Sequence, residues 1–175
     1  MQWRERPCGD GAVRRAALHW LACCVTCLFA APALAVVTVN CTVAASSLAF
    51  GVYNPLNTTA TTSVGNLSIN CSGSGSGSVS VTTAVTFSTG LSGTYATRKM
   101  FSGSNALNYN IFWSTAYTQV MGDGSGGSFA GTAGPFTVFA GGSTPVTGTM
   151  YGRIPAQQDV VPGTYVDTVL VTVTY

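Results

Sequence analysis

The chain predicts an all-β fold, an antiparallel sandwich of seven or eight short strands. Three observations carry this. Between residue 36 and residue 175, short runs recur in which apolar residues fall at every second position, the period of a half-buried strand. Only 7% of the residues are charged while 46% are apolar and 21 are glycine, a Thr/Val/Ser/Gly-rich balance typical of short strands joined by small-residue turns. No run of ten or more residues carries helical spacing. Low charge with high hydrophobicity is the opposite of a disordered composition, and 175 residues suffice for one domain with a real core.

Residues 1–35 read as a secretory signal peptide. Arg4, Arg6, Arg14 and Arg15 form its basic start, residues 16–31 its apolar stretch, and Ala33-Leu34-Ala35 the small-residue site, with cleavage expected between Ala35 and Val36. The apolar run is shorter than the roughly 20 residues of a membrane-spanning helix. Residues 36–175 then form a single domain. Cleavage removes four of the seven basic residues and leaves Arg98, Lys99 and Arg153 against Asp123, Asp159 and Asp167, a net charge of zero. No basic stripe remains to neutralise phosphates, so nucleic acid is not an expected partner. Of six cysteines only Cys41 and Cys71 survive, and an even pair in an exported chain predicts a disulfide closing a loop of about thirty residues. On the chain-entropy view such a loop contributes ~3.5–4 kcal/mol.

The elements follow in order. Val37, Val39, Cys41 and Val43 share one face of a first strand. Leu48, Phe50 and Val52 predict a second, stopped by Asn54-Pro55. Leu67, Ile69 and Cys71 line a third. Both cysteines lie on apolar faces, so the bridge is expected to be buried and to tie the first strand to the third. Residues 72–78, SGSGSGS, predict a flexible loop within the domain. Val79, Val81, Val85 and Phe87 mark the next strand, Leu107, Tyr109, Ile111 and Trp113 another, and Phe136 and Val138 begin a further one. Residues 122–128, GDGSGGS, form a second glycine-rich loop, and residues 146–154 hold one more strand. After the Pro162-Gly163 turn the chain ends on residues 165–175, where Val169, Val171, Val173 and Tyr175 face one way.

Chemistry is scarce. Beyond residue 35 there is no His, no Glu and no unpaired Cys, and three scattered Asp offer no general acid–base pair. The chain is therefore expected not to be an enzyme, with no catalytic residues and no cofactor. Zinc ligands are lacking, and Asp123 alone in its loop is too little for a Ca²⁺ site, so no metal is expected. Phe87, Tyr109, Trp113 and Phe136 read as core. Tyr53, Tyr95 and Tyr117 are expected at the rim, where packing competes with contact to a sugar or a surface.

Seven landmarks then stand in order: Cys41, FGVYNP at 50–55, INC ending at Cys71, RKM at 98–100, LNYNIF at 107–112, YGRIPAQQ at 151–158 and GTYVDTVLVTVTY at 163–175. In these the chain resembles the spore coat protein U domain family, which also supplies the subunit domain of archaic chaperone–usher pili of Gram-negative bacteria. The resemblance implies an incomplete immunoglobulin-like sandwich that lacks one strand. It implies a periplasmic chaperone, an outer-membrane usher and other pilus subunits as partners, and passage through the periplasm to the cell surface. A chaperone, then a neighbouring subunit, would supply the missing strand by addition at a sheet edge, and Val169, Val171, Val173 and Tyr175 would form that edge. Strand-donating members carry a longer alternating extension before the first cysteine; here residues 36–40 alone precede Cys41, so acceptance rather than donation is expected. Two other readings stand beside this one: an eight-stranded outer-membrane barrel, whose terminal strand the C-terminal pattern imitates, and a stand-alone glycan-binding adhesin module.

Overall fold

A computed structural model describes residues 36–175. The expected signal peptide, residues 1–35, lies outside the described residues, which begin at Val36 on the other side of the expected cleavage site. The strands are β1 (Val37–Ala45), β2 (Thr61–Gly75), β3 (Ser78–Phe87), β4 (Arg98–Ser102), β5 (Asn105–Phe112), β6 (Gly131–Phe139), β7 (Ser143–Ile154) and β8 (Val171–Thr174), with one 3₁₀ turn at Gly90–Ser92. They form two antiparallel sheets, one in the order β1-β2-β7-β5-β4 and one in the order β6-β3-β8. These are two open sheets rather than a closed ring, which overturns the barrel reading; β8, at four residues, is also far shorter than the roughly 9–11 a spanning strand needs.

The alternation seen in the sequence becomes the two inner faces. Leu67, Ile69 and Cys71 of β2, Leu107, Tyr109 and Ile111 of β5, and Met150 and Ile154 of β7 meet Val81, Val85 and Phe87 of β3 and Val138 of β6 in one core. Most polar residues between them face outward, the usual division in a sandwich, while Thr83 of β3 and Asn110 of β5 are buried.

Three expectations about elements need correction. The Ser-Gly run is mostly strand: β2 continues to Gly75, with Ser74 opposite Thr38 and Gly73 opposite Val39 in the β1 ladder. The reason is close packing, since a Cβ on Gly73 would lie 2.5 Å from the Phe139 carbonyl oxygen. Serine points out and glycine points in, where the second sheet passes.

Residues 48–52 are not a strand. Leu48 and Phe50 turn inward onto the five-stranded sheet, and the Phe50 ring occupies the space a side chain at Gly152 would need. The chain there has no ladder partner; Ser46 N–H donates to the Asn66 carbonyl (2.8 Å) and Ser63 Oγ to the Ala49 carbonyl (2.8 Å).

The last strand is four residues long rather than eleven. Val166 makes an isolated antiparallel bridge to Phe101 of β4, and only from Val171 does the chain pair with β3. The segment thus crosses from one sheet to the other.

Candidate functional site

Between residues 46–53 and residues 160–171 the sandwich is open. Two adjoining cavities of about 580 and 500 Å³ share Leu48, Phe50, Met100 and Tyr165 in their linings and together make one apolar groove. Its floor is the core itself: Leu107 and Ile154 under the first cavity, Phe87, Tyr109, Ile111 and Met150 under the second. One wall is the segment that carries Leu48, Phe50 and Tyr53; the other carries Val160, Tyr165, Val169 and Val171. Among the described residues no backbone hydrogen bond joins the two walls.

Side chains hold the walls in place. The Tyr53 hydroxyl donates to the Pro155 carbonyl (3.0 Å) and accepts from the Gln158 N–H (2.8 Å), which pins the first wall to the chain leaving β7. Ser88 Oγ accepts from Leu170 N–H (2.9 Å) and the Ser88 N–H donates to the Leu170 carbonyl (2.9 Å), which pins the second. The one charged group lining the groove is Asp167. Its carboxylate accepts from the Tyr109 hydroxyl (2.7 Å) and from the Leu91 N–H (2.8 Å). Burial, and then the neighbouring Asp167 carboxylate, push the Tyr109 phenol well above its ordinary value, so it remains a donor.

The predicted edge residues divide. Val169 and Val171 line the groove. Val173 packs half-buried against the core but does not line the groove. Tyr175 is exposed, with its hydroxyl 3.5 Å from Asn40 Oδ1. β8 is an edge strand, paired with β3 on one side alone.

The disulfide between Cys41 and Cys71 is formed. It joins directly opposed residues of neighbouring strands with Cα atoms 4.0 Å apart, so it staples β1 to β2 within one sheet. Cys71 is fully buried and Cys41 half-buried, so the expected burial holds for one partner and in part for the other.

Two features escaped sequence reasoning. Tyr95 is buried rather than at the rim, with its hydroxyl donating to the Phe87 carbonyl (2.9 Å). It roofs Arg98, whose guanidinium is fully buried 5.2 Å from the Tyr95 ring centre. Arg98 donates to the Ser88 carbonyl (2.7 and 3.1 Å), the Met121 carbonyl (2.7 Å) and Asn110 Oδ1 (2.7 Å). Burial lowers its pKa, and it stays charged because its partners are all acceptors. The signal was present: in Arg98-Lys99-Met100, period two places Arg98 on the face of Met100, which is buried.

Fold and groove together define the class, an incomplete immunoglobulin-like antiparallel sandwich short of one strand along the line where its core meets solvent. The chain belongs to the Spore Coat Protein U domain family, whose model matches residues 26–172. Among solved structures it is similar to a chain of the CsuC-CsuE chaperone–tip adhesion subunit pre-assembly complex from the archaic chaperone-usher Csu pili of Acinetobacter baumannii. The TM-score is 0.50 and the identity 23%, over 79% of this chain and 40% of that one. This chain therefore spans well under half the length of that neighbour. No curated protein matches it.

Proposed function

We propose that the chain is an exported structural subunit of a bacterial surface pilus or coat, assembled by the chaperone–usher route through donor-strand complementation. The observation that carries this is the groove. Its floor is hydrophobic core, and its two walls are chain segments with no backbone hydrogen bonds between them. An apolar alternating strand laid there would cover Met100, Ile111 and Met150 and supply backbone partners to the walls. The Spore Coat Protein U domain match and the fold shared with a chain of a chaperone–subunit complex support the reading.

The partners that follow are a periplasmic chaperone, an outer-membrane usher and other pilus subunits. The location that follows is the periplasm in transit and then the cell surface. With cleavage between Ala35 and Val36 the subunit accepts a strand and does not donate one: residues 37–45 are already laddered to β2, from Val37 opposite Gly75 to Ala45 opposite Leu67. The protein works by assembly and not by catalysis. A head-to-tail contact of this kind does not close on itself and so gives a filament or its terminus.

Co-expression with a periplasmic chaperone of this class tests the reading. The mature wild type co-purifies with the chaperone. Val171→Asp, which sets a carboxylate in the apolar groove at a desolvation cost of several kcal/mol, loses the complex. Deleting residues 36–39, which do not line the groove, leaves the complex in place. A complex that survives Val171→Asp and fails on that deletion would move the assembly edge to β1.

A further inference from the structure

The outer face of the five-stranded sheet carries a second concavity, of about 380 Å³, that strand acceptance does not use. Tyr117, Phe112, Arg153, Asn108, Thr97 and Thr118 line it. The volume falls within the roughly 300–1,000 Å³ of small-ligand pockets. Its aromatic shelf is held from two sides. The Phe112 ring meets the Tyr117 ring edge to face (5.4 Å, 87°), and the Arg153 guanidinium stands 5.2 Å over the Tyr117 ring centre. Tyr117 takes a φ of +53°, a left-handed backbone that a bulky aromatic residue rarely adopts, with its ring under Arg153.

The polar lining has donors to spare. Gln158 meets Asn108 through the backbone N–H and carbonyl alone, so the Asn108 side-chain amide is without a partner among the described residues, as are the Thr97 and Thr118 hydroxyls. The charges are also distributed to one side. Lys99 sits opposite Asn108 in the β4–β5 ladder and so shares its face, while Arg98 is buried elsewhere. Asp123 is engaged with Ser125, Asp167 with Tyr109, and Asp159 does not line the cavity. A guanidinium with no carboxylate partner among the described residues, stacked on an aromatic shelf and flanked by amide and hydroxyl groups, is complementary to a ring-shaped polyol that carries a carboxylate. The ring would lie on the aromatic shelf, the carboxylate would take the two-pronged guanidinium contact, and the hydroxyls would meet Asn108 and the threonines.

We infer that this outer-face pocket binds an acidic sugar, a uronate or other carboxylated pyranose, through Arg153, Tyr117 and Asn108. The inference does not rest on the groove or on pilus assembly. Titration of the mature protein with trigalacturonate, followed by saturation-transfer NMR and calorimetry at physiological salt, tests it. The trisaccharide binds and its methyl ester does not. Arg153→Gln weakens binding at least about tenfold. Tyr117→Gly, which suits the positive φ and removes the ring, weakens it comparably without lowering the melting temperature. Binding that Tyr117→Gly leaves intact and that added salt abolishes would reduce the site to unspecific charge attraction and overturn the proposal. So would equal binding by Arg153→Gln, or no binding by the wild type.

Discussion

Single residues decide where this sandwich is rigid. Arg98 is the clearest case, a cation placed in the interior and satisfied by three carbonyl-type acceptors and an aromatic face. It fastens Ser88, at the end of β3, and Met121 to Asn110 of β5, so the loops at one end of the sandwich share one hub. Arg98→Met strands those acceptors in a dry site and is expected to cost about 3–5 kcal/mol in urea denaturation. Arg98→Lys recovers only part, because one ammonium cannot span all three acceptors. A loss under about 1 kcal/mol for Arg98→Met, on the order of a surface change, would show that water replaces the guanidinium. The cysteine pair works differently. It joins strands already in register, and Cys41→Ser is expected to cost ~2–5 kcal/mol and leave Cys71 as a free thiol. Mature wild type that reacts twice with a maleimide before reduction would contradict the bridge.

At the scale of elements, alternation was readable wherever one face is buried and the other wet. That condition holds for β1, β2, β3 and β5, whose apolar sets were visible in the sequence; β7 was readable as a span without a stated face. The condition fails in two places. Residues 48–52 alternate as a strand does, yet Leu48 and Phe50 bury themselves over Gly152 while the backbone joins no ladder. Alternation reports burial of every second side chain and is silent about who pairs with the backbone. The Ser-Gly run fails in the opposite sense, because a strand squeezed against a second sheet has no room for side chains and so resembles a linker. Gly73→Val tests this directly. A buried clash with the Phe139 backbone is expected to destabilise the domain by about 1–3 kcal/mol, whereas Ser74→Val, on the exposed face, should change stability by under about 0.5 kcal/mol. Equal, negligible effects from both would restore the flexible loop. The groove walls were half readable. Val169 and Val171 stand in the C-terminal pattern, but the contribution of residues 160–165 comes from a stretch with no regular period, and the opposite wall was read as an ordinary strand.

At the scale of the molecule, five strands face three, and the smaller sheet leaves core residues uncovered along one line. On the proposed reading, a domain in that state gains stability from a strand supplied from elsewhere. The proposed strand addition suits an almost uncharged chain: shape and backbone pairing would carry the recognition, and the low charge density removes obstacles to it. Thermal unfolding of the purified mature protein, with and without a synthetic peptide that has the alternating apolar pattern of a donor strand, tests this most directly. Peptide at about a hundred times its dissociation constant adds roughly 2.7 kcal/mol, which raises the melting temperature of a domain this size by roughly 5–10 °C. Val171→Asp should abolish the gain. A mature protein that is monomeric, already stable, and unmoved by any such peptide or by a periplasmic chaperone would show that the sandwich is complete as it stands and that the groove is no acceptor.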